Sequence, residues 1–98
     1  MDEHNYTRVW HIDFKGLRSK DSMLKKIAAE LEFPPHFGRN LDALYDCLTE
    51  MKLQKGHRYA IHLDELERSP AGDGIHAAFA DAREAWADEG VTLALIRE

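Results

Sequence analysis

Apolar residues in this chain fall into two kinds of run. Three are short and nearly continuous: Val9-Trp10-His11-Ile12-Asp13-Phe14, Tyr59-Ala60-Ile61-His62-Leu63 and Val91-Thr92-Leu93-Ala94-Leu95-Ile96. Their β-branched and aromatic content suits strands, and the mostly apolar character of the first and third suits burial on both faces. The remaining apolar residues recur at helical spacing. Leu24, Ile27, Ala28 and Leu31 follow i, i+3, i+4, i+7 and predict a helix over about 20–32, capped by Ser19 or Asp21. Leu41, Leu44, Leu48 and Met51 line one stripe of a second helix that Asn40 caps and that runs to about Met51. Ile75, Phe79, Ala82 and Trp86 share a face of a third, which starts near Ile75 and which Gly90 ends as a C-cap. Residues 64–68 suit a short helix, residues 69–74 read as a loop, and the polar residues 1–7 are expected to fray.

Strands separated by helices require crossovers, and crossovers give parallel pairing. The expectation is an α/β fold, a small three-stranded parallel sheet packed by about three to four helices, in a single domain over 1–98. The length of 98 residues supports one core and not two. Thirteen basic against eighteen acidic side chains leave a net charge of −5, which disfavours direct nucleic-acid binding and favours encounter with a basic partner. No apolar run is long enough for a membrane helix, and the N-terminus does not read as a secretory signal. Cys47 is the lone cysteine, so the simplest expectation is a reduced, cytoplasmic chain that is monomeric when free.

Chemistry concentrates in residues 33–51. Pro34 pushes Phe33 out of helical geometry and ends the first helix, while Gly38 permits a tight turn before the Asn40 cap. Beside the apolar stripe of the second helix lies another, of Asp42, Tyr45, Asp46 and Thr49. By itself this is what a solvated helix face looks like, with Asp42 further favoured by the helix N-terminus. A catalytic carboxylate pair fits poorly, because adjacent turns of one exposed helix lack the walls that would separate two pKa values.

The run Phe33-Pro34-x-x-Phe37-Gly38-x-Asn40-Leu41-Asp42-Ala43-Leu44-x-Asp46-Cys47-Leu48-Thr49 resembles the signature of the barstar family, intracellular protein inhibitors of guanyl-specific ribonucleases. The resemblance implies the fold already drawn and a non-enzymatic inhibitor, with Asp42 and Asp46 entering a cationic active site in place of substrate phosphate. A desolvated carboxylate facing Arg and His⁺ makes short, charge-assisted bonds, which supports that role physically. Interfaces concentrate energy in few such anchors, and opposite charge steers the encounter of partners. His36, Phe37, Gly38, Arg39 and Asn40 would join the surface from the loop, and Tyr45, Thr49 and Glu50 from the helix. The family also places an acid on the last helix within a Phe-x-acid-Ala context, which Phe79-Ala80-Asp81-Ala82 resembles. Asp81 is thus the auxiliary acid, with Glu84 beside it; by pattern alone Asp81, Glu84 and Asp88 form another solvated face. This chain departs from the family at His36 and Tyr45, where tyrosine and tryptophan are usual. It departs also at Arg39, where an acid is usual, and at Glu50-Met51, which replace glycine and tryptophan.

Two features invite other chemistry. His11-x-Asp13 and His62-x-Asp64 place imidazole and carboxylate near strand ends, where open α/β sheets bind ligands, and four such groups could hold a metal. Each is equally ordinary strand punctuation. Cys47, at the edge of the apolar stripe, suits a small buried hydrophobe better than a nucleophile, and Trp10, Phe79 and Trp86 suit the core. With no Gly-rich phosphate loop and no nucleophile–base arrangement, no cofactor, metal or catalytic residue is expected. The expected partner is a basic ribonuclease. A module of the same fold regulating a non-nuclease protein is the alternative, and a small hydrolytic or metal-dependent enzyme is the third class.

Overall fold

The computed structural model describes residues 5–97. In chain order it contains β1 (Arg8–Asp13), α1 (Lys20–Leu31), α2 (Leu41–Thr49), β2 (Arg58–Asp64), a single 3-10 turn (Leu66–Arg68), α3 (Gly72–Asp88) and β3 (Thr92–Ile96). The strands form one sheet in the order β1-β2-β3, parallel throughout, so the α/β architecture inferred from the alternating periodicities holds.

Register sorts the strand residues onto two faces. Trp10 pairs with Ile61 and Ile12 with Leu63, while Tyr59 pairs with Leu93, and all six belong to the buried core beneath the helices. The opposite face carries Val9, His11 and Asp13 from β1, Ala60, His62 and Asp64 from β2, and Ala94 and Ile96 from β3. Only β2 is buried on both sides, over Tyr59–Leu63. The expectation of burial on both faces is therefore wrong for β1, whose exposure alternates, and for β3, where only Leu93 is fully buried. Both are edge strands with their helical cover on one side, and an apolar sequence does not by itself say which strand will be central.

The helices begin and end for local reasons. Ser19, not Asp21, caps α1: its hydroxyl accepts from Ser22 N at 3.0 Å. Met23, Leu24, Ile27 and Leu31 form its buried side. Asn40 Oδ1 accepts from Ala43 N at 2.8 Å and starts α2, which ends at Thr49, two residues short of Met51. Leu44 and Leu48 are fully buried, whereas Leu41 and Met51 are half-buried at the ends of the stripe.

The third helix begins at Gly72, inside the stretch read as a loop. Ser69, buried, donates from its hydroxyl to Arg18 O at 3.0 Å and accepts from Ala71 N at 3.3 Å, fixing the approach to the helix. A Cβ on Gly72 would lie 2.1 Å from the carbonyl oxygen of Leu66. Gly72 is thus a close-packing glycine rather than a helix breaker, a distinction that composition does not carry. At the other end Gly90 takes φ +80 just beyond the cap, as a C′ glycine does.

Residues 1–4 of the stretch expected to fray lie outside the described residues. Thr7 is not frayed. Its N–H donates to Arg58 O at 2.7 Å and its hydroxyl meets His57 Nδ1 at 2.8 Å. Trp10 and Phe79 are core residues as expected, but Trp86 is only half-buried, and its indole Nε1 donates to Leu48 O at 2.9 Å.

Two substitutions test this packing. Leu44→Ala should cost about 2–5 kcal/mol by leaving a cavity, and Gly72→Ala about 1–3 kcal/mol or more, since the obstructing atom is backbone. Glu84→Ala, on the exposed side of α3, should stay within about 0.5 kcal/mol. Urea unfolding of the three variants gives the ranking.

Candidate protein-docking site

α2 packs on α3, and the two helices leave between them an open groove of about 490 Å³. Its lining is Leu41, Asp42, Tyr45 and Asp46 from α2 and Gly74, Ala77, Ala78 and Asp81 from α3. The approach is close because Gly74 has no side chain: a Cβ there would meet Leu41 Cδ1 at 3.0 Å. The floor is therefore small and apolar, and carboxylates stand on both walls. Among the described residues, none of Asp42, Asp46 and Asp81 is in an ion pair, although Asp21, Glu30, Glu32, Glu65 and Glu67 all are. Tyr45 is the exposed large hydrophobic side chain among the described residues. Partly exposed aromatics are typical anchors of protein interfaces.

The structure thus brings Asp42, Tyr45, Asp46 and Asp81 around one concavity. Thr49 lies one turn on, with its hydroxyl turned back to the carbonyls of Tyr45 and Asp46 at 3.0 and 3.1 Å. Glu50 faces elsewhere, onto a cleft of about 410 Å³ at the C-terminal end of α2. Trp10, Leu31, Phe33, Met51, Leu53 and Tyr59 give that cleft its apolar surface. Glu84 is exposed on α3 and is not part of the groove lining.

The loop from 32 to 40 sits against α1. Phe37 N donates to Pro34 O at 3.0 Å, and the Phe33 and Phe37 rings meet edge to face at 5.2 Å. His36 and Gly38 are exposed. Near α2 the left-handed residue of this loop is not Gly38 but Arg39, at φ 44. Its Nε donates to Asp21 Oδ1 at 2.6 Å, so the guanidinium turns toward α1. Arg39, first, and Lys25 hold the Asp21 carboxyl below its ordinary range.

The two His-x-Asp pairs come into register, His11 beside His62 and Asp13 beside Asp64. The imidazoles stack at 4.2 Å with 16° between planes, and among the described residues no three His, Cys, Asp or Glu side chains are grouped to hold a metal ion. Asp13 Oδ1 accepts from Lys15 N at 2.9 Å, the local turn bond expected of strand punctuation. Cys47 is half-buried on the wall of the cleft, and burial, helped by Glu50 and Asp46, pushes its thiol above the ordinary range. Such a thiol is a poor nucleophile. Sequence reasoning missed Gly74, Ala77 and Ala78, whose small size opens the groove, and Asp21, which binds the loop. The i, i+3, i+4 spacing of the small residues was the available signal, but it also fits an ordinary exposed helix side.

A family model described as Barstar (barnase inhibitor) matches residues 7–98. "Putative ribonuclease inhibitor YrdF" of Bacillus subtilis (strain 168) is 42% identical to this chain over 38 residues. That alignment spans 39% of this chain and 42% of the relative's length, under half of either.

Below pH 8, His76 and Asp21 link the fold to pH. His76, on α3, is held below its ordinary pKa by burial first and then by Arg97 and Arg83. The unfolded chain therefore binds the proton more readily, and stability present above about pH 6.5 declines as pH falls through the folded value. Asp21, also depressed, adds a second decline below about pH 4. Urea midpoints measured from pH 8 to 3 should show both limbs; His76→Gln should flatten the upper one and leave the lower.

Proposed function

The chain belongs to the barstar family, and on that premise we propose that it inhibits a basic, guanyl-specific-type ribonuclease by masking its active site. The observation that carries this reading is the trio of carboxylates, Asp42, Asp46 and Asp81, left without ionic partners among the described residues around one groove. Phosphate-binding sites in nucleases are cationic and converge on an anion. Carboxylates projecting from two helices reproduce that convergence without a scissile bond. Tyr45 supplies an aromatic contact, and His36 and Phe37 extend the surface along the loop. In this role no residue of the chain is catalytic. The inhibitor acts as a monomer in the cytoplasm of the cell that makes both proteins.

Holding like charges together disfavours the free protein slightly and the complex not at all, because the enzyme's cations neutralise them. Asp46→Ala should therefore leave folding within about 0.5 kcal/mol of wild type, or stabilise it. In the complex it should cost at least about 2 kcal/mol, mostly as faster dissociation. The target is found by affinity capture with the intact chain, read out by mass spectrometry, and inhibition is measured on the captured enzyme. Association should slow as salt is raised, because steering is screened over about 8–10 Å at ordinary ionic strength. A neutral, non-nuclease protein as the principal partner, or undiminished inhibition by Asp46→Ala, would overturn the reading.

A further inference from the structure

The loop joining α1 to α2 is bracketed by two non-glycine residues in the left-handed region, Glu32 at φ 56 and Arg39 at φ 44. Such conformations are disfavoured for residues with a Cβ and persist where surrounding contacts enforce them. Each end has a tether. Glu32 is the C-cap of α1, its N–H bonded to Ala28 O, and its carboxylate lies 3.7 Å from Arg8 on β1. Arg39 reaches back across the loop to Asp21 in the first turn of α1, at 2.6 Å, and Lys25 approaches the same carboxylate at 3.4 Å. The Arg39 pair is the tighter of the two tethers and lies nearer the groove.

The position of Arg39 in the chain gives the pair its consequence. The next residue, Asn40, caps α2, and Asp42 follows in the first turn of that helix. The backbone of Arg39 therefore sets how the chain enters α2 and where His36 and Phe37 stand relative to the carboxylates. Its side chain would otherwise be a mobile cation beside an acidic groove. Directed toward a basic partner it would repel; directed toward Asp42 it would neutralise a carboxylate that the partner needs.

We propose that Asp21 is a positioning residue for partner binding. By pairing with Arg39 it fixes the 33–40 loop in its binding conformation and keeps that one cation folded back from the acidic face. The inference rests on the reading of α2 and the loop as the docking surface, but its first consequence is a property of the free protein.

Asp21→Asn removes the charge and keeps the shape. Amide hydrogen exchange in the free protein, followed by NMR, should speed up by about two- to fivefold, the range an exposed ion pair supports, at Phe37 and Ala43, whose N–H groups are bonded to Pro34 O and Asn40 Oδ1. Exchange within β2 should not change, and Asp21→Glu should restore slow exchange in the loop. With the captured ribonuclease, Asp21→Asn should lower the association rate by a similar factor at low salt, and high salt should shrink the difference. Adding Arg39→Gln to Asp21→Asn should recover the rate without slowing loop exchange, because the stray cation is gone while the tether stays broken. Loop exchange unaffected by Asp21→Asn would overturn the tether. An association rate unaffected by Asp21→Asn, or unrecovered in the double variant, would overturn the electrostatic part. The exchange measurement needs no partner, so failure to capture any ribonuclease would count against the docking reading and leave the tether to be judged on its own result.

Discussion

The contact between α2 and α3 is the constraint from which the rest of the surface follows. Gly74 lets Leu41 approach α3 where any side chain would press on it at 3.0 Å. At the other end of α2, the Trp86 indole donates to Leu48 O, a carbonyl in the last turn that has no partner within the helix. One end is held by the absence of a side chain and the other by a hydrogen bond from a large one. Between these two points the separation and the rotation of the helices are fixed. Asp42 and Asp46 therefore share one groove with Asp81.

Charge is distributed unevenly over this frame. Ion pairs join β1 to the end of α1, run along α1, and connect the 3-10 turn to the end of β3. Among the described residues, the groove is left out of this pairing. Surface pairs of this kind contribute little to folding, so leaving three acids unpaired costs the fold little. It preserves a negative potential over the groove. Arg39 would blunt that potential if it faced the groove, and its commitment to Asp21 prevents this.

The two faces of the sheet are closed unequally. Parallel sheets generally need cover on both faces, yet here the helices close one, and the other carries Val9, His11, Asp13, Ala60, His62, Asp64, Ala94 and Ile96. Parallel pairing in register sets like beside like when two strands share a pattern, which is why histidine stacks on histidine and aspartate neighbours aspartate. The His-x-Asp repetition that hinted at a metal site is thus a consequence of two similar strands laid side by side. Small central residues and the stacked imidazoles close the middle of this face, leaving Ala60 and His62 buried.

By itself the sequence determined the elements and their order. Hydrophobic period distinguishes strands from helices through local geometry, and the caps Ser19, Asn40 and Gly90 act within a few residues of themselves. The Asp42–Tyr45–Asp46–Thr49 stripe was equally legible, because one helix carries all four residues. Tertiary structure alone decided whatever depends on a partner distant in the chain. Only packing made Gly72 and Gly74 contact residues of a helix, since the atoms that exclude a Cβ belong to Leu66 and Leu41. It likewise made β2 the central strand and left β1 and β3 half-covered, a choice that three similarly apolar runs do not encode. It placed Asp81 opposite Asp42 and Asp46 across about forty residues of chain, and it turned Arg39 of the 32–40 loop to Asp21. Periodicity reports which side of an element is apolar; which element that side meets is set when the helices close over the sheet.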